Sequence, residues 1–441
     1  MENNLEHLKL LSKRVKALVS KSNKNAEDLT LIGQLYAYFF ECLSENESVG
    51  FTTLFSRVAY VSVKYKFPSL LIYYNHIFRR QIESDEKSEN INDTILLGAY
   101  LIQENSKQIY RTDLGLDIEK PEIESDSTSK IKGIFKRVVK GLVINHEAGD
   151  TSFQFVDHDR PHIPAKLILD RKDFHRQFRI LVKNMPFPFN INLIDVTVEN
   201  EVYHAKAFVL KPNFMIGVTS ISECFQSNGS FALKYLVGKL VPSDSSVHML
   251  IGNIVNYFLD ELIHDPELAF SDVVKRTFRI APEAFSLLSD IELKQCLDKI
   301  KYHFQNLKKV VKNELSDAGI TKDQAYLEPS FYSDEYGISG RLDLYHHNQS
   351  VNQSDIVELK SGKLFKANSY GLNENHFTQT LLYDLIIESL SQGKLKSSNY
   401  ILYSYLDKQR LRYAPRIRAK QYEALLIRND VIMIEHILSD F

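Results

Sequence analysis

The sequence has few cysteines and no excess of either charge, and both absences restrict what the protein can do. Its three cysteines, Cys42, Cys224 and Cys296, are far apart and never in CxxC spacing. This argues against a disulfide framework or a cysteine zinc site and favours a reducing cytoplasm. The 54 basic and 56 acidic residues give a net charge of −2, which excludes a uniformly basic coat for nucleic acid. Any such contact must come from local basic patches.

Long apolar runs are also missing. No stretch approaches the ~18–20 apolar residues that a membrane helix needs. Met1 leads into a charged amphipathic segment rather than a signal peptide, so we expect a soluble, cytoplasmic protein without a membrane partner. There is no GxxxxGK[ST] phosphate loop, because KSGKLF lacks the leading glycine spacing and the final hydroxyl. A nucleotide-driven motor is therefore not expected in this sequence.

Patterning divides the 441 residues into segments of different character, with about three domains expected from the length. Residues 1–111 repeat apolar side chains at helical spacing, and the acidic, Ser-rich residues 112–130 resemble a linker. Residues 131–212 are β-rich and predict a small barrel or an extended sheet, and 213–441 mix helices and strands. We predict a mixed α/β (α+β overall) protein. The β-favouring runs of the third segment are KGLVIN, SFQFVD, AKLILD, FRILVK, INLIDVTV and AKAFVL.

The most informative stretch is a predicted hairpin, ISGRLDLYHHNQSVNQSDIVELK. Alternate residues of a strand share a face, so Glu358 and Lys360 point one way and Leu359 points into the opposite layer. Asp343, between two leucines on the preceding strand, can project towards Glu358. Two carboxylates and a lysine can hold a hard divalent cation and activate a water. Glu and Lys also alternate on many exposed strands, and a lone acidic residue is usually a solvated edge position.

The neighbours of this hairpin strengthen the interpretation. Gly340 precedes Asp343 closely and Gly362 follows Lys360, which allows a ligand to approach the backbone. Gln379 and Tyr383 are spaced i, i+4 on a helix predicted from Glu374 to Ser391, so they share one face. On their own they would indicate only a helix with a polar edge. Behind a Glu-x-Lys strand they predict a supporting layer for the site.

Taken together, GRLDL, DIVELKSGK and HFTQTLLYDL resemble the PD-(D/E)XK nuclease superfamily. The order of motifs is similar to the RecB-type branch, especially the nuclease half of flap-processing helicase–nucleases. INLIDV, FVLKPNFMIGVTSISECF, GNIVNYFLDEL and LLIRNDVIMIEHIL extend the resemblance over roughly residues 190–440. It implies a restriction-endonuclease-like core, whereas 1–130 resembles nothing recognisable.

The resemblance also implies roles. Asp343 and Glu358 would be ligands of Mg²⁺ or Mn²⁺, helped by a backbone carbonyl such as that of Leu359. Lys360 would position or activate the attacking water, while Gln379 and Tyr383 would orient this lysine and the strand. Further supporting residues would be Glu328, Arg341 and His376.

Two departures from the family pattern stand out. Members of the branch commonly carry a histidine ligand in a GxxxH pattern, and the matching stretch from Gly252 places Asn256 there. An amide oxygen can bind a hard cation but is uncharged, so the metal affinity is expected to be lower. Many relatives also carry an iron–sulfur cluster on four cysteines. With Cys224 as a first ligand and no cysteine after Cys296, no iron–sulfur cluster is expected here.

The basic stretch 408–420, KQRLRYAPRIRAK, has six Lys or Arg and no acidic residue. Such runs are usually solvated faces. Interleaved with Tyr413 and close to the predicted strand, this one is about equally consistent with binding a phosphate backbone. The predicted nucleic-acid-binding residues are Lys363, Lys366, Arg410, Arg412, Arg416 and Arg418.

The leading hypothesis is a Mg²⁺- or Mn²⁺-dependent nuclease acting on single-stranded or flapped DNA in replication or repair. Because the motor is missing, a helicase partner is expected, as a separate chain or as part of a longer polypeptide. A non-catalytic DNA-binding or loading module is the alternative, supported by Asn256. A site-specific restriction enzyme would share the same catalytic core.

Overall fold

The structure, a computed structural model, describes residues 2–44, 54, 57–58, 61–62, 65, 67–83, 91–111, 113–116, 118, 133–145, 152–241, 247–350, 352–368, 370–395 and 397–439. The chain forms two compact units, Met1–Phe208 and Val209–Phe441. Helices and strands are mixed, which confirms the predicted α/β class. No helix in these ranges is long and apolar enough to cross a membrane. The predicted acidic linker 112–130 lies outside the described residues except for 113–116 and 118.

The first unit opens with helices whose apolar faces form one core, so the helical N-terminal region is confirmed. These helices are α1 (Glu2–Val19), α2 (Ala26–Ser44), α3 (Ser69–Glu83) and α4 (Ile91–Tyr110). Gly98 lets α4 approach its neighbours closely, because a Cβ there would lie 2.5 Å from the ring of Phe78. Within this core the buried amides of Asn75 and Asn105 hydrogen-bond each other at 2.7 and 2.9 Å. Burial of these polar groups is therefore compensated.

The strands that follow close into a barrel, so the barrel and not the extended sheet is the correct alternative. Its elements are β1 (Ile134–Asn145), β2 (Phe153–Asp157), β3 (Ala165–Leu169), α5 (Lys172–Asn184), β4 (Phe189–Glu199) and β5 (Val202–Leu210). The strand order is β1-β2-β3-β5-β4, with β1 antiparallel to β4 and β3 parallel to β5. A helix between the third and fourth strands completes the topology of a five-stranded OB barrel.

One of the predicted strands is wrong. FRILVK belongs to α5, which runs from Lys172 to Asn184. The apolar side chains Phe174, Phe178 and Leu181 recur at helical spacing and are fully buried. The ring of Phe178 lies 4.3 Å from that of Phe153 on β2, measured between centroids. Packing of this apolar stripe into the barrel therefore overrides the β-favouring composition of FRILVK.

The second unit contains a five-stranded sheet and a three-stranded sheet. Its first elements are β6 (Ile216–Gly217), α6 (Val218–Ser222), β7 (Phe225–Gln226), β8 (Gly229–Ser230), α7 (Leu233–Leu240), α8 (Val247–His264), α9 (Phe270–Thr277), α10 (Pro282–Ser286), α11 (Asp290–Lys309) and α12 (Leu315–Asp317). The remaining elements are β9 (Ala325–Leu327), β10 (Ser330–Ser333), β11 (Ile338–Arg341), β12 (Leu344–Asn348), β13 (Gln353–Lys360), α13 (Glu374–Leu390), β14 (Ser397–Tyr403), β15 (Leu411–Ala414) and α14 (Arg418–Ser439). The five-stranded sheet has the order β15-β14-β13-β12-β9, and the three-stranded sheet has the order β10-β11-β6.

Strand β13 lies between two helical layers, and this sets the direction of its side chains. It pairs antiparallel with β12 in the predicted hairpin and parallel with β14. Val357 and Leu359 join the apolar core formed with α8 and α11. Glu358 and Lys360 point to the other side, where they meet Gln379 of α13. The period of two along one strand therefore places the polar pair against α13.

Helix α13 is enclosed more completely than its sequence suggests. Every residue from Phe377 to Glu388 is buried, including Thr380, Asp384 and Glu388. The helix packs against the five-stranded sheet and also against α6 and α14. Its polar residues therefore need partners inside the protein.

The closing helix α14 ties several backbone segments of the second unit together through Arg428. This side chain is fully buried, and its guanidinium donates hydrogen bonds to the carbonyls of Leu210, Lys211, Phe214 and Gly337. Desolvation lowers the pKa of Arg428 to about 9. The next residue, Asn429, accepts a hydrogen bond from the backbone N–H of Leu210 at 2.9 Å. The residue pair thus holds the start of this unit against β11.

Candidate active site

Asp343 lies at the bend just before β12, where its carboxylate is held from two directions. Oδ2 accepts a hydrogen bond of 2.6 Å from the backbone N–H of Leu359 on β13. Oδ1 accepts one of 3.3 Å from Nδ2 of Asn256 on α8. The structure therefore brings Asp343, Asn256 and the backbone N–H of Leu359 together.

Glu358 has one engaged oxygen and one free oxygen. Oε1 accepts hydrogen bonds from Nζ of Lys360 at 2.8 Å and from Nε2 of Gln379 at 2.7 Å. Oε2 is buried and has no hydrogen-bond partner in the described part of the chain. A buried carboxylate oxygen in this state favours a cation or a donor that the protein itself does not supply.

A chain of hydrogen bonds from α13 fixes this arrangement. Gln379 accepts from Nζ of Lys360 at 2.9 Å and donates to the hydroxyl of Tyr383 at 3.3 Å. The hydroxyl of Tyr383 in turn donates to the carbonyl of Arg341 at 2.8 Å. Gly340 leaves room for this tyrosine, because a Cβ there would lie 2.7 Å from the ring. The glycine before Asp343 thus serves the packing of Tyr383.

The pKa values of Asp343 and Lys360 are both raised, for different reasons. Burial, followed by the charge of Glu358, raises the pKa of Asp343 well above its usual value, although Lys360 counteracts this. Burial tends to lower the pKa of Lys360, but the charge and hydrogen bond of Glu358, with Asp343, outweigh it and raise that pKa. The ammonium group is therefore charged at neutral pH, while the paired carboxylates repel each other at close range.

A cleft of about 910 Å³ opens beside these residues, and Asn256, Leu359 and Lys360 are part of its lining. Its other walls carry the basic side chains Lys234, Lys363 and Lys366, the acidic Glu223 and Glu374, and the aromatic Phe225, Phe365 and His376. Such a mixture suits a strand that presents both phosphates and bases.

The donor set fits a hard divalent cation. Carboxylate oxygens of Asp343 and Glu358 are the ligands that Mg²⁺ and Mn²⁺ prefer, and Oε2 of Glu358 is available. The amide of Asn256 adjoins Asp343, and a 180° rotation of that amide would present its oxygen instead of its nitrogen. Among the described residues, however, no three His, Cys, Asp or Glu side chains are grouped closely enough to hold a metal alone. A bound ion would therefore retain several waters, as Mg²⁺ commonly does.

The predicted supporting residues lie around the site in different ways. Glu328 and the exposed Arg341 form an ion pair of 3.3 Å, and the backbone N–H of Glu328 donates to the carbonyl of Asp343. His376 contacts the hydroxyl of Tyr403 at 3.2 Å through Nδ1. Desolvation, together with the charge of Lys360, lowers the pKa of His376 to about 3, so this ring is neutral. None of these contacts places the histidine on a carboxylate of the site.

The predicted basic residues divide into two groups. Lys363 and Lys366 are exposed at the cleft, with the Lys363 ammonium 5.4 Å from the ring centre of Tyr405. The four arginines of the basic stretch are instead bonded to other parts of the protein. Their partners are Glu314 and Asn306 for Arg410, the carbonyl of Gly371 for Arg412, Asp384 and Glu388 for Arg416, and Glu388 and Gln421 for Arg418.

Asp260 was missed by the sequence analysis. It lies one turn after Asn256 on α8, and desolvation together with the charges of Glu328 and Glu261 raises its pKa to about 7. The same i, i+4 reasoning that paired Gln379 with Tyr383 would have found it. Asp260 therefore lies near Glu328 and is about half protonated at neutral pH.

Comparisons with known proteins give little beyond this geometry. No family model and no curated protein matches the chain. Among solved structures, it is similar to the crystal structure of a "Putative exonuclease" from Eubacterium rectale, with a TM-score of 0.35 and 12% identity. The similarity covers 51% of this chain and 81% of that one. At this level it assigns neither fold nor activity, so function has to be inferred from the site.

Proposed function

We propose that the protein is a metal-dependent nuclease that hydrolyses phosphodiester bonds of DNA. The observation that carries this is the joint placement of Asp343, Glu358 and Lys360 beside an open cleft, with one oxygen of Glu358 left without a partner. A structural ion pair would not require a second buried carboxylate next to it, since like charges destabilise each other.

Each residue has a role that follows from its contacts. Asp343 and Glu358, with the Leu359 carbonyl and Asn256 nearby, would hold Mg²⁺ or Mn²⁺, which activates a water and offsets charge on the phosphate. Lys360 lines the cleft and would stabilise negative charge that develops on phosphate oxygens. Gln379 restricts the rotamer of Lys360, because it accepts one of the ammonium hydrogen bonds at 2.9 Å.

Tyr383 restricts Gln379 in the same way, since it is anchored on the carbonyl of Arg341. This supporting chain keeps the lysine in place without a bound substrate. Preorganised donors of this kind need no rearrangement during the reaction, which is why they contribute to the rate.

The finer assignment concerns the substrate. Lys363, Lys366 and the ring of Phe365 are exposed at the cleft, whose lining also includes the buried Phe225. Exposed cations beside an exposed aromatic ring suit a single strand, in which bases are free to stack on side chains. We therefore propose single-stranded or flapped DNA in replication or repair. We also propose that a helicase, as a separate chain or as part of a longer polypeptide, delivers this strand.

The direct test uses end-labelled single-stranded, flapped and duplex oligonucleotides with millimolar Mg²⁺ or Mn²⁺. Wild type should cleave strands with an unpaired segment, and Lys360→Met should not. Lys394→Met is a matched control, because Lys394 is exposed in the turn after α13. Inert wild-type protein across all substrates and both metals would refute the nuclease assignment.

A non-catalytic DNA-binding or loading module is the second candidate. It is favoured by Asn256, which stands where the family pattern has a histidine ligand and whose amide nitrogen donates to Asp343 at 3.3 Å. In that case the protein would bind DNA in a salt-dependent way without cutting it. Wild type and Lys360→Met would then both leave the labelled DNA uncut.

A further inference from the structure

Helix α5 of the barrel presents two very different faces. Its inner face inserts Phe174, Phe178 and Leu181 into the barrel, where the ring of Phe178 lies 4.9 Å from that of Phe208. Because these side chains are fully buried, the rotation of the helix about its axis is fixed. Whatever lies on the outer face is therefore presented to solvent in a defined orientation.

The outer face carries a row of cations, which we call the α5 basic stripe: Lys172, Arg176, Arg179 and Lys183. The spacing i, i+4, i+7, i+11 places all four on one side of the helix, over roughly 16 Å of its axis. All four are exposed, and within the described residues none forms a hydrogen bond or an ion pair.

A solvated helix face ordinarily alternates charges of opposite sign, since like charges one turn apart destabilise a helix. The charged residues next to the stripe are instead paired with opposite charges. Arg171 is paired with Asp173 at 2.5 Å, and Lys206 with Asp170 at 2.9 Å. The stripe thus concentrates unneutralised positive charge in a protein whose net charge is −2.

The surface next to the stripe is concave. A cleft of about 430 Å³ is lined by the four cations together with Asp170, His175 and Ile180. The carboxylate in this lining, that of Asp170, is already bonded to Lys206 and His204. Ile180, half exposed, adds an apolar surface between the cations.

These features point to an extended polyanion as the ligand. A row of about 16 Å exceeds what one phosphate group can contact, so successive charges along a chain match it better. An anionic membrane would need an apolar face to insert, but the apolar face of α5 is buried and leaves only Ile180 outside. We propose that the α5 basic stripe binds the phosphate backbone of a nucleic-acid strand.

This site lies on the helix, not on the strand face that binds oligonucleotides in other OB barrels. The proposal rests on the proposed nuclease function only in naming nucleic acid as the polyanion. It adds a contact surface outside the candidate active site, which would retain a strand before and after cleavage.

The test measures binding without cleavage. Anisotropy of a labelled oligonucleotide of about 20 residues, longer than the ~4–16 nucleotides that one OB fold covers, is recorded in EDTA at several salt concentrations. Arg176→Glu with Arg179→Glu should weaken binding at least tenfold. The plot of log K against log salt should also become less steep by about 1.4, since two phosphate contacts are lost and each contributes ~0.7 on a single strand.

The control is Lys275→Glu with Arg279→Glu, which changes the net charge equally at two exposed cations of the second unit. Equal losses in both double variants would reduce the effect to net charge and overturn the proposal, as would no loss in either. Binding that depends on the stripe only with anionic phospholipid vesicles, and not with DNA or RNA, would overturn it too. Retained melting temperatures exclude misfolding, and the neutral pair Arg176→Gln with Arg179→Gln provides a milder second variant.

Failure of the nuclease assignment remains distinguishable. If wild type never cleaves but the stripe variants lose binding, the proposed activity is wrong and the stripe stands. If wild type cleaves and the stripe variants bind normally, the stripe proposal is wrong and the nuclease assignment stands.

Discussion

Lys360→Met is the most informative single change, because it removes one charge and keeps most of the side-chain volume. The ammonium group donates at 2.8 Å to Glu358 and at 2.9 Å to Gln379, and both bonds are lost. With both carboxylates ionised, the formal charge of Asp343, Glu358 and Lys360 goes from −1 to −2. The Glu358 side chain is only 5% exposed, so the surrounding water compensates little.

Two magnitudes follow from this geometry. Loss of a preorganised donor that faces developing charge lowers kcat by about 10²–10³, or about 2.7–4 kcal/mol. Loss of one partner of a buried ion pair destabilises the metal-free protein by about 3–5 kcal/mol, less any part relieved by protonation of Asp343. Because a divalent cation restores positive charge to the pair of carboxylates, Mn²⁺ should raise the melting temperature of Lys360→Met more than that of wild type.

The assays are single-turnover cleavage of a labelled single strand and thermal unfolding with Mn²⁺ or EDTA. Lys394→Met should match wild type in both, because its ammonium group lies in an exposed turn. A Lys360→Met protein that cleaves within threefold of the Lys394→Met control would refute the catalytic role of the lysine. If Mn²⁺ raised the melting temperatures of Lys360→Met and wild type equally, the electrostatic reasoning would be contradicted.

Other residues test separate parts of the structure. Glu358→Gln should abolish cleavage and also Mn²⁺ binding measured by calorimetry. The exposed Glu283→Gln should alter neither. Mn²⁺ binding retained in Glu358→Gln would exclude Glu358 as a ligand. The affinity for Mn²⁺ in wild type should increase with pH, because the raised pKa of Asp343 makes the ion compete with a proton at lower pH; an affinity independent of pH would contradict this. Arg428→Met should lower the free energy of unfolding, by about 1–3 kcal/mol for each buried carbonyl that it leaves unpaired. In denaturant titrations the exposed Arg279→Met should have no such effect, and equal losses would show that the buried carbonyl contacts contribute nothing.

The hairpin was predictable because its information is local. Alternation along β13 separates Glu358 and Lys360 from Leu359, and the i, i+4 spacing of Gln379 and Tyr383 places both on one helix face. What joins strand to helix is the side chain of Gln379, which bonds both members of the polar pair. Short-range periodicity thus sufficed for the candidate site once both elements were placed side by side.

Closure of the barrel was not predictable in the same way. It depends on pairing between β1 and β4, with Val138 opposite Ile194, and on the parallel pairing of β3 with β5. These registers join residues far apart in sequence, and a run of β-favouring residues looks the same in a barrel as in an open sheet. The misassigned α5 shows the related limit, since its burial depends on aromatic partners from β2 and β5.

The basic stretch shows how burial elsewhere can redirect charges. Its arginines look available in sequence, but Asp384 and Glu388 of α13 are buried and require counter-charges. Arg416 is within 2.9 Å of Asp384, and Arg418 lies 3.3 Å from Glu388. Even so, desolvation raises the pKa of Asp384 to about 6. Arginines committed to such pairs are poor candidates for releasable phosphate contacts, which leaves Lys363 and Lys366 as the better ones.

The candidate site itself is an arrangement that folding alone would not favour. Two carboxylates converge at the edge of a buried layer, and one oxygen of Glu358 has no partner among the described residues. Burial and mutual repulsion raise the pKa of Asp343, so the metal-free site is stabilised by protonation and loses that stability as pH rises through this raised pKa. The backbone N–H of Leu359 and the ammonium of Lys360 compensate only in part. A divalent cation would relieve both the repulsion and the unpaired oxygen, which gives the nuclease assignment a physical basis that a structural ion pair lacks.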